Sequence, residues 1–223
     1  MPRAIRLRRQ ARQDDVVDVN SRFLVDYYED PGTWQDTFWM GVPVWKCPFD
    51  LWIYQEIITE TRPDLIVEAG TYRGGSALYM ASMCDLVGHG DVVTIDVTAQ
   101  PGRPDHPRIT YLQGSSTAPE VLAQLAEKAR SSERVMVVLD SDHSEAHVFE
   151  EIRLLGALVT PGCYLVVEDT IVNGNPVLPN FGAGPGEAVS RFLSENPGTF
   201  EVDKGREKLH LTFNRGGYLR RVG

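Results

Sequence analysis

Cysteine is scarce: Cys47, Cys84 and Cys163 are the only three in 223 residues, odd in number and far apart. That excludes a disulfide framework, and with no C-x-x-C pair neither a zinc site nor a dithiol redox site is indicated. Cys84 sits in an apolar helical run and Cys163 opens a buried strand, so both read as core. Long hydrophobic runs are missing too. No stretch approaches the roughly 20 apolar residues that span a bilayer, and the amino terminus has no apolar signal segment. The expectation is a soluble, cytoplasmic protein with no membrane partner. Positive charge is also short, with 22 Lys and Arg against 31 Asp and Glu and a net charge of −9. A nucleic-acid partner usually selects a basic face, so none is expected. The arginines that exist cluster at Arg3, Arg6, Arg8, Arg9 and Arg12 and at Arg215, Arg220 and Arg221, and read as solvated, mobile termini. No internal repeat or low-complexity segment is visible.

What is present is an ordinary globular balance, 42% hydrophobic and 24% charged, in a length suited to one α/β domain with a modest extension. Residues 1–47 read as that extension: irregular or locally helical, with a turn at Asp30-Pro31-Gly32 and dense aromatics at Trp34, Phe38, Trp39 and Trp45. These aromatics suit a lid or acceptor-pocket wall and an oligomer contact equally well. Residues 48–223 read as the main domain. A helix starts at Pro48, which suits a first turn, and ends at Arg62-Pro63. Short apolar strands then alternate with helices. The strands are expected at 65–67, 92–95, 109–112, 135–139 and 164–167, and the helices over 75–86, 118–130, 144–156 and 185–195. Two closing strands, around Phe200 and over 209–213, are expected to pair antiparallel because a parallel crossover needs about a dozen residues. Runs too short for helices, alternating with helices, indicate a mostly parallel sheet covered on both faces.

In such a sheet ligands bind beyond the carboxyl ends of the strands. The first strand runs into Glu68-Ala69-Gly70-Thr71-Tyr72-Arg73-Gly74-Gly75-Ser76. The glycines permit a tight turn before a helix amino terminus, but the spacing is not G-x-G-x-x-G. An acid at Glu68 favours a cationic ligand, such as the ammonium of a methionine moiety, over a pyrophosphate. Asp96 ends the second strand, where a carboxylate can accept both ribose hydroxyls. Ser115 and Ser116 follow the third strand and could frame an adenine. Together these strand ends read as an adenosyl site.

The fourth strand ends in Asp140-Ser141-Asp142-His143 and the fifth in Glu168-Asp169. So many like charges at one sheet edge are costly without a cation, and oxygen ligands suit Mg²⁺ or Mn²⁺. Asp140, Glu168 and Asp169 are the candidate metal ligands; strand-end capping is the bland alternative. His143 is placed to take a proton near neutral pH, or to orient a partner by a hydrogen bond. His147, one turn further, reads as a supporting or surface residue.

At this point the chain resembles a known family. The run Lys46-Cys47-Pro48-Phe49-Asp50-Leu51-Trp52 with Tyr54-Gln55-Glu56, then PDLIVEAGTYRGGSALYMA, LDSDHSEAHV and YLVVEDT, is similar to the cephalosporin hydroxylase family over about residues 36–223. Despite its name, its members look like metal-dependent methyltransferases, with relatives that methylate sugars of macrolides and mycobacterial polysaccharides. The resemblance implies a seven-stranded, Rossmann-like class I methyltransferase fold, S-adenosyl-L-methionine and Mg²⁺ as cofactors, a sugar or oligosaccharide acceptor, and a homo-oligomer. It places the cofactor against Glu68, Gly70, Tyr72, Gly74, Ser76, Asp96, Ser115, Ser116 and Asp140. The metal falls to Asp140, Glu168 and Asp169, with Asp142 as an alternative ligand, and the base to His143. The rivals are a hydroxylase, for which no 2-His-1-carboxylate set is present, and a nucleoside-binding partner protein without catalysis.

Overall fold

A computed structural model of the chain describes residues 19–30 and 32–223. The arginines at positions 3 to 12 lie outside the described residues. The described chain begins in a helix, α1, over residues 19–29, followed by a short hairpin of β1 (Phe38–Trp39) and β2 (Val42–Pro43). Next come α2 (Pro48–Thr61), β3 (Leu65–Ala69), α3 (Gly75–Val87), β4 (Asp91–Asp96), β5 (Ile109–Gln113) and α4 (Pro119–Arg130). The second half contains β6 (Val135–Leu139), α5 (Glu145–Leu155), β7 (Tyr164–Val167), α6 (Pro185–Glu195), β8 (Phe200–Val202) and β9 (Tyr218–Arg221). Proline opens α2, α4 and α6, where its missing N–H costs nothing. Arg62 closes α2 in a left-handed conformation, just before Pro63.

The main sheet has the order β5-β4-β3-β6-β7-β9-β8, with β9 antiparallel to both neighbours and the other pairings parallel. Alternate residues of each central strand serve opposite layers. Val67, Val137, Leu139 and Leu165 pack under α4, α5 and α6. Ile66, Met136, Val138 and Val166 pack under α2 and α3. Each fully buried Leu or Ile contributes about 1.5–3 kcal/mol, which is why these strands are apolar throughout instead of alternating. All three cysteines are buried.

Two expectations are corrected at the carboxyl terminus. The final strand is β9, not residues 209–213. That segment alternates polar and apolar residues because it packs as a loop: Leu211 and Phe213 join Leu24, Cys47 and Ile171 in a third apolar cluster. Its backbone is held by Asp50, whose Oδ2 accepts from Phe213 N at 2.9 Å, not by a strand partner. Arg220 and Arg221 are ladder residues of β9, paired opposite Tyr164, Glu201 and Phe200, and not a mobile tail.

Candidate active site

Strand order reverses between β3 and β6, and a cavity of about 660 Å³ opens beyond their carboxyl ends. The two ends are locked side by side: Asp140 N donates to Ala69 O at 2.8 Å, and Glu168 N donates to Leu139 O at 3.0 Å. Gly70 makes this possible, since a Cβ there would lie 1.8 Å from the Asp140 carbonyl oxygen. Gly75 does the same for the amino-terminal segment. A Cβ on it would meet Pro43 O at 2.1 Å, so its absence lets the β1–β2 hairpin settle on the start of α3. That approach carries Val44, Trp45 and Lys46 into the site.

Of the residues singled out from sequence, Gly70, Tyr72, Ser76, Asp96, Ser115, Ser116, Asp140, Asp142, His143 and Asp169 line the cavity, whereas Glu68, Gly74 and Glu168 do not. Asp96 accepts from Tyr72 N at 2.7 Å and Thr98 N at 2.8 Å, and its Oδ2 lies 3.2 Å from Arg103. Glu68 stands fully buried behind the wall. Thr94 donates to its Oε2 at 2.5 Å, while Oε1 has no partner. Burial pushes its carboxyl above the usual range, against the pull of Lys46.

Asp140, His143 and Asp169 present ligand atoms that all lie within 4.8 Å of one another. His143 Nε2 is 3.2 Å from Asp140 Oδ1 and 3.4 Å from Asp169 Oδ2. The two carboxylates at this spacing fit one divalent cation, with the imidazole directly beside them. Glu168 stands next to this group, on the far side of Lys46 from Asp140. Its Oε1 accepts from Lys46 Nζ and from the Tyr54 hydroxyl, each at 2.5 Å. Lys46 Nζ also donates to Asp140 Oδ2 at 2.6 Å, so the buried ammonium bridges the two acids. Asp142 accepts from Ser144 N at 2.8 Å, at the start of α5.

The electrostatics follow from one lysine and one histidine among several acids. Burial alone would lower the His143 pKa, but Asp140, Asp169 and Glu168 raise it to about 9. Burial raises Glu168, and the nearby Asp140 charge adds to it. Burial likewise raises Asp169. Asp140 is pushed up by burial, yet Lys46 and His143 prevail and hold it below its ordinary value. Three wall residues, Trp45, Tyr72 and Asp169, have positive φ of 32°, 45° and 51°. For the two aromatics in particular this is strain of about 1–3 kcal/mol each, of the kind that clusters at functional sites.

The aromatic-rich segment divides. Trp34 and Trp45 line the cavity, with Trp45 packed 4.5 Å from Tyr72. Trp39 packs on Tyr79, and Phe38 is exposed. Three further buried polar groups carried no role in the sequence reading: Lys46, Tyr54 and Glu151. Lys46 approaches Asp140 from 94 positions away, so no local spacing reveals it. Its one local signal is a charged residue just before an otherwise apolar helix start.

Fold and site together define a doubly wound α/β protein with its ligand cavity at the topological switch point. A family model, rhamnosyl O-methyltransferase/CmcI, matches residues 31–222. A rhamnosyl O-methyltransferase of Mycobacterium leprae is 41% identical over 191 residues, covering 83% of this chain and 83% of that protein. The protein of that name from Mycobacterium bovis is 40% identical over 192 residues, covering 83% and 78%. Among solved structures, a CmcI structure with Mg and SAM superposes with a TM-score of 0.65 at 22% identity, over 85% of this chain and 78% of that one. The chain belongs to the rhamnosyl O-methyltransferase/CmcI family and is an O-methyltransferase.

Proposed function

We propose that the protein transfers a methyl group from S-adenosyl-L-methionine to a hydroxyl of a sugar, oligosaccharide or glycosylated natural product, with Mg²⁺ or Mn²⁺ bound at the carboxylate cluster. The observation that carries this reading is the convergence of Asp140, His143 and Asp169 on the same cavity as Asp96, Ser115 and Ser116. The volume suits a nucleoside ligand together with part of an acceptor. The relatives' name supports a rhamnosyl acceptor, and the rings of Trp34 and Trp45 offer apolar faces to the C–H side of such a sugar.

A bound divalent ion would lower the pKa of the acceptor hydroxyl and fix the direction of its oxygen. Asp140 and Asp169 are the residues to hold it, with Glu168 kept adjacent by Lys46 and Tyr54. Asp142 stays the alternative ligand at the mouth. Asp96 accepts the ribose hydroxyls, and the turn from Gly70 through Ser76 carries the methionine end. His143 removes the acceptor proton. Its surrounding carboxylates hold it protonated; compensating their charge returns it toward its ordinary range, where it can accept a proton. The reaction then gains chiefly from holding the two reactants in line. Exposed Phe38, Met40, Phe49 and Trp52 support a homo-oligomer.

Methyl transfer from labelled S-adenosylmethionine to a rhamnoside, followed before and after EDTA, tests the reading. Chelation should abolish transfer and leave cofactor affinity intact, and Mg²⁺ or Mn²⁺ should restore the rate. Activity that survives thorough chelation overturns the metal assignment.

A further inference from the structure

Glu151, on α5, is fully buried beneath the part of the cavity wall formed by Ser116, Ser141 and His147. Its Oε1 accepts from Ser116 Oγ at 2.5 Å and from Ser141 Oγ at 2.7 Å. His147 Nε2 lies 3.3 Å from the same oxygen and 3.4 Å from Ser116 Oγ. Glu151 Oε2 has no partner, and only one other buried side-chain oxygen among the described residues shares that condition. A carboxylate brought this far from water is costly, and a structural role would be served as well by an apolar residue. Something must repay the cost.

The geometry points to a polarity filter. A serine hydroxyl has one proton, and here both serines spend it on Glu151, so each turns only lone pairs toward the cavity. We propose that Glu151 thereby makes this wall an acceptor surface that selects the exocyclic amine of a 6-aminopurine and disfavours a 6-oxopurine. Glu151 is a positioning residue: it acts through Ser116 and Ser141 and does not touch the ligand. The inference rests on the S-adenosylmethionine reading and adds what that reading leaves open, namely how the base is recognised. An adenine amine finds two acceptors at this wall. A keto oxygen placed against the two serines would face their lone pairs and find no donor on either, a mismatch that binding sites penalise more heavily than a lost apolar contact.

The test is calorimetric titration of the full chain with S-adenosylhomocysteine and with S-inosylhomocysteine, in wild type, Glu151→Gln and Ser116→Ala. Wild type should prefer the adenosyl ligand by roughly 10–100-fold. In Glu151→Gln the substituted amide can donate to the serines and free their protons toward the cavity. The preference should then fall to within about threefold or invert, with adenosyl affinity lost and inosyl affinity gained. Ser116→Ala removes one acceptor without a new donor and should weaken only adenosyl binding; it decides the matter if Glu151→Gln does not fold by thermal melting. A folded Glu151→Gln that keeps the wild-type preference overturns the inference, as does a folded Ser116→Ala that keeps it. Equal binding of both ligands by wild type overturns it while leaving the cofactor reading standing. No adenosyl binding by wild type overturns the cofactor reading and the inference together.

Discussion

The two edges of the central sheet share strands but not electrostatics. At the amino-terminal edge Asp64, Asp85, Arg108 and Arg134 all have partners. Asp64 accepts from Glu133 N and Arg134 N, both at 2.8 Å, and faces His89 Nε2 at 2.7 Å. Arg134 donates onward to Thr61 O, and Arg108 to Asp85. Burial pushes Asp64 up, but these hydrogen bonds outweigh it and hold the carboxyl below its ordinary range. At the carboxyl-terminal edge the sign reverses. Asp140 and Glu168 share one lysine and Asp169 faces His143, Glu168 and Asp169 are pushed upward, and Glu68 and Glu151 each keep an unpartnered oxygen. One edge is arranged to stabilise the fold. The other crowds buried acids around Lys46 and His143, and that asymmetry is what marks it as the reactive end.

The contrast is sharpest at Asp169. Asp169→Asn keeps a residue that tolerates positive φ and removes a carboxylate whose charged form the fold disfavours. Methyl transfer should fall on the order of 10⁴-fold, the several kcal/mol a bound ion supplies, while the melting midpoint holds or rises. Rates and thermal unfolding on one sample decide it; a midpoint lowered by several degrees would make Asp169 a structural residue. His143→Ala comes next. Turnover should drop by roughly 10²–10⁴-fold with metal and cofactor still bound, and the residual rate should climb with pH as hydroxide substitutes. Near-normal turnover would remove it as the base, and lost metal content would recast it as a ligand.

The smallest effect belongs to the opposite edge and should be the mirror image. Asp64→Ala should leave kcat unchanged and cost about 1–3 kcal/mol of stability at pH 7. Because the folded pKa of Asp64 lies below its unfolded value, its contribution is present above about pH 4 and is lost as the pH falls through the folded pKa. Urea unfolding at pH 7 and at pH 3 should show the gap between wild type and variant narrowing at the lower pH. A gap of equal size at both would assign the loss to packing instead.

Alternation of short apolar runs with helices was enough to read the five parallel strands, the helices from Pro48 onward and the doubly wound class, because both faces of the sheet are buried and the sequence pattern records burial directly. The turn after Ala69 and the acids ending β4, β6 and β7 were legible for a related reason: a parallel sheet sends all its strand ends to one edge, so residues distant in sequence are predictably neighbours. The 209–213 segment misled for the same reason in reverse, since its alternating pattern reflects burial against Leu24 and Ile171 without a strand partner. What lies beneath the cavity edge could not be read. Lys46 meets Glu168 across 122 positions, through a hairpin admitted by Gly75, and Glu151 looks from its sequence like one more acid on a helix surface. Local sequence thus determined the layers and the strand-end acids, because hydrogen-bond ladders and burial are periodic. Only the tertiary structure decided which acids meet the lysine, which acids meet the histidine, and which way two serine protons point, because those depend on contacts that no period records.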